Sequence, residues 1–222
     1  MDTPNKSYVS SFLKLKCAGD IINILNPVPN LEKEITESYA ILRKIKPLIL
    51  AKKNKYNVLD LCAGNALTSV MAAFILPIHY AVAVDKKKKI RDYSKIRKFK
   101  YVEENIYEEF VEGYLHIGDK NPALKDAERN TLIIASHPCK HAVKIIDLFN
   151  NSIAKALCIV PCCNGSYLSL LGSSFLHTSG MTKYDVWTYY LASLIDKKAK
   201  VTITTDHNIY SPKDNIIYAE RR

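Results

Sequence analysis

Apolar residues recur at helical spacing over the first quarter of the chain. One such face is formed, three to four positions apart, by Leu31, Ile35, Tyr39, Leu42, Ile45 and Ile49. The pattern predicts helices over residues 6–17 and 31–53, with the second interrupted at Pro47. The segment Asn26-Pro-Val-Pro-Asn30 predicts a rigid linker between them. We therefore expect an N-terminal helical extension over residues 1–54.

From residue 55 onward, short apolar runs of strand type alternate with helical patterns. The predicted strands cover residues 57–61, 80–84, 100–102, 131–136, 156–161, 200–205 and 215–219. The predicted helices between them include residues 66–76, 87–97, 139–150 and 183–196. Such alternation is typical of a mostly parallel sheet with helices on both faces. A short turn at residues 211–214 predicts an antiparallel pair at the sheet edge. We therefore expect an α/β domain with a seven-stranded sheet over residues 55–222.

Charge is distributed unevenly along the chain, whose net charge is +10. Residues 86–100 contain nine basic residues and one acid, and residues 1–56 contain ten basic and five acidic residues. Clustered positive charge neutralises phosphates and releases counterions, which favours a nucleic-acid partner. The alternative is that residues 86–100 form the solvated face of a helix.

The sequence also indicates the cellular compartment of the protein. It has no apolar run of about 18 residues, so no membrane span is expected. The first six residues lack the apolar core of a signal peptide. Six cysteines in a chain of this size are more typical of free thiols than of a disulfide framework. We therefore expect a cytoplasmic protein.

Small or polar residues follow five successive predicted strands, and the carboxyl ends of parallel strands form the ligand-binding edge of such a sheet. The first strand is followed by a tight turn in which Cys62, Gly64 and Ala66 are the three small residues. Asp60, just ahead of the turn, would repel a pyrophosphate. It suits S-adenosylmethionine, which carries a sulfonium and an ammonium. The second strand ends in Asp85, an acid placed to bind ribose hydroxyls.

Residues 56–165 resemble a Rossmann-fold S-adenosylmethionine-dependent methyltransferase. In that superfamily the turn matching residues 60–66 lies against the methionine part of the cofactor, the acid matching Asp85 holds the ribose, and the position of Asn105 lies against the adenine. The predicted cofactor-binding residues are Asp60, Cys62, Ala63, Gly64, Asn65, Ala66, Asp85, Lys86, Glu104, Asn105 and Ser136.

The residues after the fourth and fifth strands indicate a resemblance to a subgroup of that superfamily. His137-Pro-Cys139 and Cys162-Cys163 are similar to a subgroup with His-x-Cys and Cys-Cys motifs, which includes tRNA 2′-O-methyltransferases. Here Lys140 replaces the usual glycine, and the zinc-finger extensions of those enzymes are absent. The resemblance implies RNA, with tRNA favoured, as the substrate. The predicted catalytic residues are His137, Cys139 and Cys163, with His137 as the base for an oxygen acceptor.

Other interpretations fit some of the same residues. RNA 5-methylcytosine methyltransferases have a similar first motif and use a cysteine thiolate as nucleophile, which would be Cys162 or Cys163, with Cys139 assisting product release. Cys139, Cys162 and Cys163 are alternatively small wall residues of the pocket. A zinc site with His137 and His141 is a further alternative, but the spacing is not that of a common zinc module, so no metal is predicted.

Three other functions remain open at this stage. They are a methyltransferase for a protein, one for a small molecule, and a non-catalytic RNA-binding module. Four aromatic residues after the fifth strand are candidates either for stacking on a base or for the core: Tyr167, His177, Tyr184 and Trp187.

Overall fold

The computed structural model describes residues 7–51, 56–87, 91–107, 130–162 and 180–221. Within them, seven strands form one sheet: β1 (Asn57–Leu61), β2 (Tyr80–Asp85), β3 (Phe99–Glu103), β4 (Thr131–Ser136), β5 (Ala156–Val160), β6 (Ala199–Thr205) and β7 (Asn215–Arg221). The described helices are α1 (Tyr8–Leu13), α2 (Ala18–Leu25), α3 (Leu31–Ala51), α4 (Leu67–Ile75), α5 (Ala142–Asn150) and α6 (Lys183–Ser193). None of them is long and apolar enough to cross a membrane.

The strand order is β3-β2-β1-β4-β5-β7-β6. Strands β1 to β5 are parallel, whereas β7 pairs antiparallel with both β5 and β6. This arrangement confirms the predicted α/β fold and the antiparallel pair. The order reverses between β1 and β4, so the crevice beyond the carboxyl ends of these strands is the expected ligand site.

Alternate residues of the strands enter two separate hydrophobic clusters, because successive side chains of a strand point to opposite faces. Val58 packs in the cluster that contains the buried residues of α1 to α4. Leu59 and Leu61 pack in the other cluster, with α5 and α6. The sheet is therefore covered on both faces, as the continuous apolar strands predicted.

The N-terminal helices share the first cluster with the sheet: Phe12, Ile21 and Ile41 are each fully buried in it. The predicted boundary between residues 54 and 55 stays a prediction, but the extension packs against the same core as β1. Helix α3 continues through Pro47, although an interruption was expected there. Ile45 and Ile49 are fully buried on either side of the proline, so packing holds the helix together at this point.

Two helix predictions were wrong. The helix predicted over residues 6–17 ends at Leu13, and a second helix, α2, follows where none was predicted. The helix predicted over residues 87–97 is absent from its described part, residue 87 and residues 91–97, which form a bend, turns and irregular backbone. Asp92 accepts a hydrogen bond from the backbone N–H of Ser94, which is an Asx-type turn that competes with helix. The crowded like charges of this segment also disfavour a helix.

Candidate active site

The turn between β1 and α4 has an unusual backbone. Cys62, Gly64 and Ala66 all have left-handed φ angles, of 59°, 53° and 59°. For residues with a Cβ, this conformation costs about 1–3 kcal/mol and persists only where the surroundings hold it. Such strain is concentrated at ligand-binding sites, so the turn is a candidate for close contact with a bound molecule.

Asp85, at the end of β2, holds this turn in place. Its Oδ2 accepts a hydrogen bond from the backbone N–H of Gly64 at 2.9 Å, and its Oδ1 accepts one from the N–H of Lys87 at 2.9 Å. Tyr101 adds a bond to the carbonyl of Gly64 at 3.3 Å. The ends of β1, β2 and β3 are therefore tied together, and Asp85 lies at the wall of the crevice.

Asn65 links the turn to two distant segments. Its Nδ2 donates to Glu34 of α3 at 3.1 Å, and its Oδ1 accepts from Nη1 of Arg91 at 2.8 Å. The same guanidinium donates to the carbonyl of Pro27 at 2.8 Å. Burial raises the pKa of Glu34, which the bond from Asn65 partly opposes. Arg91, which sequence analysis placed in the charged segment, thus has a structural role beside the turn.

Two cavities lie on opposite sides of the turn and share Cys62, Gly64 and His137. The first cavity, of about 260 Å³, is also lined by Asp85, Lys86, Lys87, Asn105, Ile106, Pro138, Cys139 and His141. The second cavity, of about 310 Å³, is also lined by Lys33, Glu34, Glu37, Ser38, Ala63, Asn65, Leu67, Thr68 and Ser136. Eight of the predicted cofactor residues therefore line a cavity: Cys62, Ala63, Gly64, Asn65, Asp85, Lys86, Asn105 and Ser136.

The other three predicted cofactor residues lie outside these two linings. Asp60 is buried under the turn, and its carboxylate accepts bonds from the side chain and backbone of Ser69 in α4. Burial raises the pKa of Asp60 to about 7, against the effect of those bonds. Ala66 is fully buried at the start of α4. The backbone N–H of Glu104 bonds to the carbonyl of Asp85, which places this residue beside the first cavity through its main chain.

The thiol of Cys62 is held in its neutral form. Burial, with the nearby carboxylates of Asp85 and Asp60, raises the pKa of Cys62 to about 12. Because the thiolate is the reactive form, Cys62 contributes a small wall and not a nucleophile.

The His137-Pro-Cys139 segment has strained backbone of its own. His137 and Cys139 have φ angles of 52° and 49°, and the N–H of His137 bonds to the carbonyl of Val160 at 2.9 Å. The imidazole lines both cavities. His141 lies further along, with Nδ1 3.1 Å from the hydroxyl of Tyr107. Burial lowers the pKa of His141, with Lys140 and Lys86 acting in the same direction.

The two described cysteines of the motifs meet at the first cavity. The Sγ atoms of Cys139 and Cys162 are 3.2 Å apart. Cys163, the third predicted catalytic residue, lies outside the described residues, as do Tyr167 and His177. Within the described part of the chain, no group of three His, Cys, Asp or Glu side chains is placed to hold a metal ion.

The structure answers the question left open for two of the aromatic residues. Tyr184 is buried, donates to the carbonyl of Pro161 at 3.3 Å and accepts from the N–H of Asn215 at 3.0 Å. Trp187 is buried in the second cluster. Both residues belong to the core.

Helix α3 also contributes to this site, which the sequence pattern did not predict. Glu37 is buried, and its Oε1 lies 2.6 Å from Nε2 of His137. Lys33, one turn earlier, has its Nζ 3.1 Å from the same oxygen. A signal was present in the sequence: Glu37 precedes Ile41 and Ile45 at intervals of four, so an acid occupies the buried stripe of this helix.

Comparison with known proteins agrees with this geometry. A family model described as a methyltransferase domain matches residues 32–168, more than half of the chain. The chain belongs to the methyltransferase-domain family. It is an S-adenosylmethionine-dependent methyltransferase. A search of curated protein sequences finds no match.

Solved structures similar to this methyltransferase have low sequence identity to it. The plantazolicin methyltransferase BpumL, in complex with SAH, is 12% identical with a TM-score of 0.53, and the match covers 98% of this chain and 95% of that chain. The precorrin-6y C5,15-methyltransferase of Geobacter metallireducens is 16% identical with a TM-score of 0.45, over 81% and 87% of the two chains. TrmK of M. capricolum, in complex with SAH, is 12% identical with a TM-score of 0.44, over 82% and 67%.

The residues of the methyltransferase site fit this cofactor. A Cβ built on Gly64 would meet no atom within 4 Å, so there is open space directly beside the backbone of the turn. Asp85 presents a carboxylate at the same wall, and Cys62 lines the cavity beside it. Close backbone approach next to an acid at the second strand is the arrangement that binds a nucleoside in such folds.

The raised pKa of Asp60 predicts a specific pH dependence of stability. Between its ordinary pKa of 3.8 and about 7, the unfolded chain loses the Asp60 proton while the folded protein keeps it. The free energy of unfolding therefore falls as pH rises through this range, by on the order of 1 kcal/mol per pH unit. Asp60→Asn should remove this decline, as measured by urea denaturation at a series of pH values. Parallel curves for the wild type and the variant would contradict the raised pKa.

Proposed function

We propose that this methyltransferase modifies RNA, with tRNA as the favoured substrate. The observation that carries the proposal is the position of the basic segment relative to the cavities. Lys86 and Lys87 line the first cavity, and the exposed basic residues that follow lie next to the β3 edge of the sheet: Lys95, Arg97, Lys98 and Lys100. Lys86 and Lys87 lie at the carboxyl end of β2 and the other four at the amino-terminal end of β3, so basic residues occur at both ends of this edge, which suits a phosphate backbone.

The motif resemblance supports the same substrate class. His137-Pro-Cys139 and Cys162 are similar to the motifs of the subgroup that includes tRNA 2′-O-methyltransferases. In the structure these residues lie together, because the imidazole and Cys139 line the first cavity and Cys162 contacts Cys139. The motif residues therefore face the space in which an acceptor would meet the methyl donor.

The cofactor would be held by residues from three strand ends. Asp85 would bind the ribose hydroxyls, Asn105 the adenine, and the turn at residues 62–65 the methionine part. When bound, S-adenosylmethionine supplies a methyl group on a positively charged sulfur, and loss of that methyl leaves a neutral thioether. Catalysis by the chain then consists of aligning the acceptor and removing its proton.

His137 is the base that we assign to this proton. Its ring lines both cavities, and at 19% exposure it is enclosed but reachable by a bound acceptor. Imidazole is the side chain best suited to accept a proton near neutral pH. Lys140, the next basic residue along the chain, is exposed and suited to a phosphate of the acceptor.

A second candidate function rests on the cysteine pair. The 3.2 Å separation of the Sγ atoms of Cys139 and Cys162 brings together the two thiols that a 5-methylcytosine mechanism requires. In that chemistry one thiolate adds to the pyrimidine ring and the other assists release of the product. Nucleoside analysis distinguishes the two functions, since one yields a methylated ribose and the other a methylated base.

The proposal is tested by methyl transfer from labelled S-adenosylmethionine to total tRNA, total RNA and total protein, followed by nucleoside analysis. We expect label in RNA, on a ribose, and greater incorporation with tRNA. Label in protein alone would overturn the RNA proposal, and label on carbon 5 of cytosine would replace it with the second candidate. Omission of the enzyme and addition of excess SAH are the controls.

Replacement of Asp85 tests the cofactor site. Asp85→Ala removes a charged hydrogen-bond acceptor and should weaken SAH binding by about tenfold or more, as measured by calorimetry. Asp92→Ala removes an exposed acid of the following segment and should leave the affinity unchanged. Equal affinities for the two variants would refute the ribose-binding role of Asp85.

Neutralisation of the basic edge tests the RNA contact. The variant replaces three exposed residues near β3 with glutamine: Lys95, Arg97 and Lys100. The control replaces three exposed lysines near β6, at the opposite edge of the sheet: Lys197, Lys198 and Lys200. We expect the first variant to bind tRNA more weakly, with a plot of log K against log salt flatter by about 2, and the control to match the wild type. Equal slopes for both variants would assign the β3 edge to a solvated surface.

A further inference from the structure

Glu37 is a charged residue in the interior of the protein. Its side chain is 3% exposed, and it lies on α3, whose neighbouring residues Ile35 and Ile41 are buried in the core. A carboxylate in such a position is costly unless it is compensated by charge and hydrogen bonds. The cationic group of Lys33, at 3.1 Å, is itself 41% exposed and supplies only part of this compensation.

The second partner of Glu37 is His137. The Oε1 and Nε2 atoms are 2.6 Å apart, and both are closed off from solvent. Neither atom meets hydrogen-bond geometry with any partner within the described residues, so the contact is a close approach of two buried polar groups. Each is therefore the other's closest polar neighbour, and the contact buries the Nε2 edge of the ring. That leaves Nδ1 as the ring nitrogen available to a bound acceptor.

The residues on both sides of Glu37 hold α3 in position. Thr36 accepts a hydrogen bond from the backbone N–H of Tyr210 at 3.0 Å. Ser38 forms a buried hydrogen bond of 2.9 Å with Thr68 of α4, the helix that follows the cofactor turn. The backbone of α3 around Glu37 is thus fixed relative to the turn by contacts other than the one with the ring.

The backbone at His137 also serves this contact. A left-handed φ of 52° is unfavourable for a residue with a large side chain, yet the bond from its N–H to Val160 holds it there. This conformation directs the ring toward both cavities and toward α3. The strained backbone of His137 and the buried carboxylate of Glu37 thus meet at one contact.

From this geometry we propose that Glu37 is the positioning residue for His137, so that α3 completes the active site. The inference rests on the proposed function, in which His137 takes the acceptor proton. The proton would pass from the acceptor to Nδ1, and the acceptor lone pair would form the new bond to the methyl carbon while the carbon–sulfur bond breaks and leaves its electron pair on sulfur. The carboxylate of Glu37 would balance the resulting imidazolium. The arrangement follows the logic of a carboxylate–histidine pair in other enzymes. Residues 31–51 then belong to the catalytic unit.

The pairing itself is tested by NMR, independently of any substrate. With ¹⁵N-labelled histidine, the full chain should show a ring N–H signal from Nε2 of His137 that is protected from solvent exchange. The signal is assigned by its loss in His137→Gln. It should also be lost in Glu37→Met, which keeps the side-chain volume, and it should remain in Glu32→Ala, which removes an exposed acid from the same helix. An unchanged signal in Glu37→Met would overturn the proposal.

The catalytic role is tested by a double-mutant cycle on methyl transfer to total tRNA. Glu37→Met should lower kcat by about 100-fold, because the base is no longer aligned, while SAH affinity measured by calorimetry stays unchanged. In the His137→Ala background the same substitution should change kcat by about twofold or less, since Glu37 acts only through the ring. Additive losses would overturn the positioning role, because a merely structural effect does not depend on His137.

Glu37→Gln keeps an oxygen acceptor for the ring N–H. It also provides a second test if the methionine variant does not fold. It should restore the ring signal and part of the rate. A rate as low as that of Glu37→Met, with the ring signal restored, would overturn positioning as the role. If tRNA receives no label from the wild type, the proposed function fails, and the pairing of Glu37 with His137 is then decided by the ring signal alone.

Discussion

The two backbone hydrogen bonds to Asp85 hold the turn on which the site depends. One carboxylate oxygen accepts from Gly64 and the other from Lys87, so a single side chain joins the end of β2 to the segment after β1. The turn it holds has left-handed backbone at Cys62 and Ala66 as well as at Gly64. Without such bonds this strain would be relieved by a different turn. The open space beside Gly64 and the direction of α4 both depend on that conformation.

The polar residues around the turn are placed for binding at the expense of packing. Asp60 is enclosed beneath it, Glu34 contacts Asn65, and Glu37 contacts His137. Apolar residues at these three positions would avoid the cost of burying carboxylates. Glu34 and Glu37 line the second cavity, and Asp60 lies just ahead of the turn. Two of the three, Asp60 and Glu37, are buried, and Glu34 is half-buried.

The N-terminal helices and the sheet form one packed unit around this site. The buried residues of α1 to α3 share a cluster with β1 and α4, and α3 also contributes Lys33 and Glu37 to the wall of the second cavity. Arg91 ties the linker before α3 to the cofactor turn through Pro27 and Asn65. The basic segment 86–100 therefore contains a residue that helps to hold the turn.

The sequence by itself determined the sheet and its order of elements, and eight of the predicted cofactor-binding residues line the two cavities. Strand prediction succeeded because strands such as residues 131–136 are buried on both faces of the sheet. Such burial requires a continuous run of apolar residues, which is visible in the sequence. Residues at strand ends were found because the geometry of parallel sheets brings those ends together. By contrast, the Asx turn at Asp92 replaced a predicted helix, because a local side-chain hydrogen bond competes with helix and hydrophobic spacing does not record it. The spacing of α3 marked Glu37 as a buried acid, but it could not show that His137 is its partner. Only the tertiary structure brought α3 against His137 and Cys139 against Cys162, since those contacts join segments remote in the chain.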